Sequence, residues 1–167
     1  EKLKDAAVRE AILAEPPPAM LMGVGKTLTS GFDRMFRLTT DKGLDYEPRR
    51  EDSIAALAAK TNQAPDRIVY EMLMENDGRG YVYLPLLNYA NFNFDHIHEM
   101  MHDENTVLSL SDGGAHCGVI CDASFPTYML TYWVRDRERG PRLPLEKVVS
   151  MQTRDTARLY GLNDRGV

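Results

Sequence analysis

The run Thr106-Val107-Leu108-Ser109-Leu110-Ser111-Asp112-Gly113-Gly114-Ala115-His116 constrains this chain more than any other stretch. A short β-branched and apolar strand ends in a carboxylate, the chain turns on two glycines, and a histidine follows at once. Strand ends in α/β folds carry catalytic side chains, because the scaffold fixes them while the adjoining loop stays open to substrate. An aspartate in that position can ligate a metal, take a proton from bound water, or do both. The same spacing also suits a plain turn, in which Asp112 is a cap and Gly113 and Gly114 supply positive φ. Spacing alone leaves both readings open.

The chain of 167 residues is long enough for one domain with its own core. Its composition is that of a globular protein, with 43% hydrophobic and 27% charged residues. A net charge of -5 with acids and bases intermixed provides no basic stripe, which argues against nucleic acid as a partner. No apolar run approaches the roughly 20 residues that a bilayer span needs, and no signal-peptide pattern opens the chain, so no membrane partner is expected. The two cysteines, Cys117 and Cys121, are too few for a secreted disulfide framework, and a reducing cytoplasm is the expected location. Glu1 opens in mid-helix character and Gly161 to Val167 read as a turn into more protein, so the expectation is a piece of a longer polypeptide, whose remainder is a partner.

Apolar residues at Leu3, Ala6, Ala7, Ile12 and Leu13 predict an amphipathic helix from Lys2 to Ala14, stopped by Pro16-Pro17-Pro18. Met35 to Leu38 reads as a strand and Asp41 to Arg50 as a loop. Asp52 or Ser53 caps a helix over Ile54 to Thr61. Pro65 opens another to about Glu75, burying Ile68, Val69, Met72 and Leu73, and Asn76-Asp77-Gly78 ends it. Tyr81 to Leu84 reads as a strand, Phe94 to Met101 as a helix, and Val107 to Leu110 as the strand that delivers Asp112. Phe125 to Arg139, Pro144 to Met151 and Asp155 to Tyr160 read as helices. Phe125, Tyr128, Tyr132 and Trp133 have core spacing, and Arg135, Arg137 and Arg139 read as a solvated helix end. The order is mostly helix with few strands, compatible with a fragment of an α/β fold.

Three other constellations compete with Asp112. Gly23-Val24-Gly25-Lys26-Thr27 imitates a phosphate loop, but Met20 stands where the first glycine belongs and prolines precede it. His98 and His102 share a helix face while His96 points elsewhere, which reads as a helix face rather than a metal site. His116, Cys117 and Cys121 are three soft donors in one loop, but no second cysteine pair completes a structural zinc site.

Further residues carry a family resemblance. These are Leu110-Ser111-Asp112-Gly113-Gly114-Ala115-His116, Tyr132-Trp133-Val134-Arg135, Leu145-Glu146-Lys147-Val148-Val149, Thr153-Arg154-Asp155-Thr156-Ala157 and Tyr160-Gly161-Leu162-Asn163-Asp164-Arg165-Gly166. Together they resemble the C-terminal part of the N-acyl-D-amino-acid deacylase (D-aminoacylase) branch of the amidohydrolase superfamily. Tyr46-Glu47-Pro48 and the helices between Ala55 and Glu75 match that branch more loosely.

The resemblance implies an α/β fold, a fragment of a metal-dependent (β/α)8 barrel that includes the last barrel strand and its following helix. Residues 1–105 would then precede the last strand with a helical insertion. Residues 106–167 would hold the strand, the catalytic turn and C-terminal helices, ending before a small β-sandwich. The implied activity is hydrolysis of a non-peptide amide C–N bond, with N-acyl-D-amino acids as the small-molecule substrates and one or two Zn2+ ions as cofactor. Asp112 would be the catalytic residue, moving a proton from the attacking water to the leaving amine, and a metal ligand together with residues outside this chain. His116, read from its position, either hydrogen-bonds within the turn or is a substrate-binding residue of the pocket that Asp112 helps to form. The branch's first-strand His-x-His, bridging cysteine and later histidine ligands have no counterpart here, so this chain alone is expected to be inactive. Its usual arginine after the aspartate is replaced by Gly118-Val119-Ile120-Cys121-Asp122-Ala123-Ser124. A non-catalytic helical interaction domain is the alternative reading, nucleotide binding through Lys26 a third, and homo-oligomerisation is left open.

Overall fold

A computed structural model describes residues 2–16, 31–108, 111, 113 and 122–166. The chain divides into two compact units, Glu1–Asn93 and Phe94–Val167.

In the first unit, the N-terminal helix begins later than its apolar pattern predicts. Lys2–Lys4 form a 3-10 turn, and α1 spans Ala6–Ala14. The interruption is Asp5, whose carboxylate accepts from the amides of Ala7 at 2.8 Å and Val8 at 3.3 Å and so restarts the helix as its N-cap. No residue of α1 is buried. It is tethered by polar contacts, Arg67 to Glu10 at 2.7 Å and the Tyr70 hydroxyl to the Leu3 carbonyl at 2.5 Å.

β1 (Phe36–Arg37) falls inside the expected strand. The stretch read as a loop opens inside a tight hairpin, in which β2 (Thr39–Thr40), just ahead of it, pairs antiparallel with β3 (Gly43–Leu44) within it. Thr40 Oγ1 closes the turn, accepting from Lys42 N at 3.2 Å and donating to the Gly43 carbonyl at 3.1 Å. Glu47 and Pro48, in the same stretch, are buried.

Ser53 caps α2 (Ile54–Thr61) by accepting from Ala56 N at 3.2 Å, while Asp52 accepts from Arg49 N in the preceding 3-10 turn. Of the two proposed caps, Ser53 is therefore the one that caps this helix. α3 (Pro65–Gly78) starts on proline at its first turn, where the missing N–H costs nothing. Its dihedrals leave the helical region at Glu75, Asn76 and Asp77, where the sequence places the stop. The chain then doubles back, and Gly80 lies so close that a Cβ there would sit 1.7 Å from the Met72 carbonyl oxygen. β4 (Val82–Tyr83) pairs antiparallel with β1 in the register Phe36–Tyr83 and Arg37–Val82.

The core of this unit joins Met35, Ile54, Ala58, Ile68 and Met72, flanked by Phe32, Leu57, Val69, Val82 and Leu84. Leu73, expected inside, is 45% exposed, because the buried stripe of α3 is narrower than its apolar sequence pattern.

In the second unit, α4 (Asp95–His102) is followed by a 3-10 turn (Asp122–Ser124), α5 (Phe125–Tyr128) and a π-helix (Met129–Asp136). α6 (Leu145–Gln152) and α7 (Arg154–Leu159) complete it. The segment expected as one α-helix thus widens midway. Arg137 N reaches the Tyr132 carbonyl at 2.8 Å, the i to i−5 bond of a π turn. That widening lets adjacent Tyr132 and Trp133 both face inward, at 7% and 3% exposure, while Phe125 stays exposed.

The strand expected from Val107 to Leu110 is not seen at Val107 or Leu108, which pair with no other strand. Ser109 and Leu110 lie outside the described residues. The sheets among the described residues are the two antiparallel pairs above, and no barrel is formed by them. The described architecture is mostly helical with few strands.

Candidate functional site

Asp112 and His116, the two residues the sequence singles out, lie outside the described residues, as do Lys26, Cys117 and Cys121. What the structure gives is the frame on which the Asp112 turn is mounted. Ser111 is half-buried. A Cβ built on Gly113 would lie 2.7 Å from the Ala123 Cβ and 3.2 Å from its Cα. Gly113 is therefore demanded by close approach of two chain segments. The residue after Asp112 is pressed against the 3-10 turn that leads into α5.

Beyond that turn, the second unit is organised by an arginine that the sequence misplaces. Arg137 is 1% exposed, not part of a solvated helix end. Its Nη2 donates to Asp95 Oδ1 at 2.7 Å and its Nη1 to the Pro141 carbonyl at 2.8 Å. Its guanidinium carbon lies 5.0 Å from the centroid of the Trp133 ring. A planar cation can stack on an aromatic face while its in-plane N–H groups remain available, and Arg137 does both. The loop that follows is shaped around it. Gly140 has φ +98, and a Cβ there would lie 2.7 Å from both Arg137 Nη2 and Asp95 Oδ1. Arg142 Nε donates to the Arg137 carbonyl at 2.8 Å, and Leu143 N to the Trp133 carbonyl at 2.9 Å. Phe94 packs on the same centre, 6.1 Å from Tyr132 and 5.9 Å from Trp133 between ring centroids. The signal available in sequence was an arginine four positions after a tryptophan and just ahead of Gly140-Pro141.

Two of the three histidines of α4 meet as the helical spacing predicts. The rings of His98 and His102 have centroids 4.4 Å apart, and His98 also lies 6.5 Å from Trp133. His102 Nδ1 is 2.9 Å from the His98 carbonyl. Burial holds the His98 imidazole below its ordinary pKa, reinforced by His102 and Arg137, against a backbone hydrogen bond to Arg142 and the charge of Asp95. His98 Nε2 and His96 Nδ1 are buried without a hydrogen-bond partner. A neutral imidazole is the form such surroundings favour.

The implied zinc centre calls for a cluster of His, Cys, Asp or Glu side chains. Among the described residues no group of three His, Cys, Asp or Glu side chains is placed to hold a metal ion. His98 and His102 remain a pair among the described residues, and the candidate donors Asp112, His116, Cys117 and Cys121 lie outside them. In the first unit, burial chiefly, with Asp45, Tyr46 and Glu47 adding to it, pushes the Tyr83 phenol up to about 12. A shallow open groove of about 310 Å³ beside α1 is lined by Leu3, Lys4, Tyr70 and Met74 among others, with no histidine or cysteine. No described helix is long and apolar enough to cross a membrane.

Comparison with known proteins places these observations. The model of the Amidohydrolase family matches residues 30–167, most of the chain and all of the second unit. No curated protein and no solved structure matches. The match supports hydrolase chemistry with small-molecule substrates in the intact protein. It spans the Asp112 turn, Trp133 and Arg137 alike, and on it the chain belongs to the amidohydrolase family.

Proposed function

We propose that this chain is the C-terminal catalytic portion of an amidohydrolase that cleaves amide C–N bonds, with N-acyl-D-amino acids as the substrate class. The observation that supports this reading most is the family match running through Ser111-Asp112-Gly113. Asp112 takes a proton from the attacking water and returns it to the leaving amine, the work for which a carboxylate beside a reacting water is suited. His116, four residues further on, contacts the substrate in the same pocket. Asp112 would also serve as a metal ligand, together with residues outside this chain, and a metal held there would lower the pKa of the attacking water. Gly113, the residue after Asp112, lies close against Ala123.

The test is hydrolysis of N-acetyl amino acids of D and L configuration by the intact protein, before and after Asp112→Asn. Asparagine keeps the shape but cannot carry the proton, so kcat should fall at least about 100-fold, at the low end of what general acid–base catalysis contributes. The D substrates should be preferred. Unchanged turnover by the Asp112→Asn protein would remove Asp112 from the chemistry, and a preference for L substrates would remove the proposed substrate class.

A further inference from the structure

The first unit carries an arrangement that the hydrolase reading does not use. Arg34 and Arg50, far apart in sequence, converge on one aromatic ring. Their guanidinium carbons lie 5.7 and 5.6 Å from the centroid of Phe92. Neither makes an ion pair among the described residues, whereas Arg9, Arg37, Arg49 and Arg67 in the same unit each have a carboxylate.

The ring that gathers them is held in an unusual state. Phe92 has φ +55, a left-handed conformation that a bulky side chain adopts only when its surroundings impose it. Those surroundings are rigid. The Phe92 ring sits edge-on to Phe36 at 6.2 Å and to Tyr89 at 6.1 Å, and both of these are buried. The Tyr89 hydroxyl in turn donates to the Pro48 carbonyl at 2.6 Å. Asn88, four residues earlier, is left-handed as well at φ +57, so the loop from 88 to 92 is wound to present this ring. Residues kept in sparsely populated backbone states by over-determined packing cluster at ligand sites.

We propose that Arg34 and Arg50, presented by Phe92, form a binding site for the oxyanion group of a small molecule, a carboxylate or a phosphate. A guanidinium held near an aromatic ring without a carboxylate partner keeps N–H donors that recognise planar or tetrahedral oxyanions. Two like charges brought to one ring repel each other, and the ring's quadrupole attracts each without neutralising either. An anion bound by these guanidinium groups supplies the missing charge. The site stands on the first unit alone and does not depend on the hydrolase assignment.

The test is a titration of the full chain with inorganic phosphate and, separately, with benzoate. Ionic strength is held constant with sodium chloride, and the arginine Nε–Hε resonances and thermal midpoint are followed. Saturable shifts of the Arg34 and Arg50 signals are expected, with affinity falling at least tenfold in Arg34→Gln and in Arg50→Gln. The response should stay unchanged in Arg49→Gln, whose side chain pairs with Glu51. Binding of phosphate but not benzoate assigns a phosphate-bearing ligand, and the reverse assigns a carboxylate. Arg50 is exposed, so Arg50→Gln should fold normally, and circular dichroism checks that it does. Absence of saturable binding by either anion, or binding that Arg50→Gln leaves intact in a folded protein, overturns the proposal. Neither result bears on Asp112.

Discussion

Replacing Arg137 should separate what its charge contributes from what its shape contributes. The side chain is fully buried, whereas the Asp95 side chain is 58% exposed. Losing the arginine therefore leaves Asp95 in reach of water, and most of the cost falls elsewhere. The Pro141 carbonyl loses its partner, Trp133 loses a stacked cation, and the space of a large side chain opens beneath the Gly140 loop. A hydrogen bond with a charged partner contributes about 1.5–3 kcal/mol, and a desolvated cation–π contact about 2 kcal/mol. Freeing the side chain returns about 2 kcal/mol of rotamer entropy. Arg137→Ala should thus destabilise the second unit by about 3 kcal/mol, at the low end of broken buried ion pairs. Arg137→Lys keeps a charge but neither the fork nor the plane, and should cost about 2 kcal/mol. Asp95→Asn keeps an acceptor at an exposed position and should cost about 1 kcal/mol. Trp133 is the only tryptophan of the chain, so its fluorescence during urea unfolding reports on this site directly. With a slope of about 2 kcal/mol/M, the alanine variant should lose about 1.5 M in midpoint. A lysine variant as stable as the parent would show that a point charge suffices and would refute the stacking argument.

Three further outcomes follow from the same geometry. Gly140→Ala forces a left-handed backbone on alanine and pushes a methyl into the Arg137–Asp95 contact, so it should cost about 2 kcal/mol. In the Arg137→Ala background, by urea unfolding, that cost should shrink, because one of the two groups it strikes is gone. His98 has its folded-state pKa lowered, so as pH falls through the unfolded value near 6.5 the unfolded state takes up the proton first. Stability should be full above that pH and decline below it, and His98→Gln should flatten the profile of unfolding midpoint against pH. For Tyr83 the folded value is raised to about 12, and the neutral phenol is the form the fold favours. Its contribution is complete below about 10 and is lost as pH rises through the folded value, so Tyr83→Phe should resist alkaline unfolding better than the parent.

How legible the fold was depended on how local its causes are. The Ser53 cap, Pro65 at the start of α3 and the Asn76-Asp77-Gly78 stop are decided within a few residues, and each appears where the sequence puts it. The hairpin at Thr39–Leu44 was not legible, because two-residue strands have no period to detect. Arg137 was misread for a different reason. A charged residue at a helix end is usually solvated, and its burial depends on Asp95, 42 positions away in sequence. The convergence of Arg34 and Arg50 on Phe92 is non-local in the same way, and no spacing rule finds it.

The candidate site itself lies between these extremes. Two adjacent glycines after a carboxylate announce a constrained turn, but they do not say whether the constraint is a backbone angle or a neighbour. At Gly113 a neighbour is sufficient, since Ala123 leaves no room for a Cβ. The distinction bears on function. A glycine needed for its φ serves any turn, whereas a glycine needed for contact fixes the turn against a second segment of chain. That second segment, Asp122–Ser124, leads directly into α5 and the π-helix that carries Trp133 and is followed by Arg137. The Gln152 side chain donates to the Pro126 carbonyl at 3.1 Å, tying α6 to the start of the same stretch. The residue after Asp112 thus rests on the chain segment whose far end is locked by Arg137. A loss of packing at Arg137 should accordingly loosen the turn at Gly113 as well, by a route made of covalent neighbours and one tight contact.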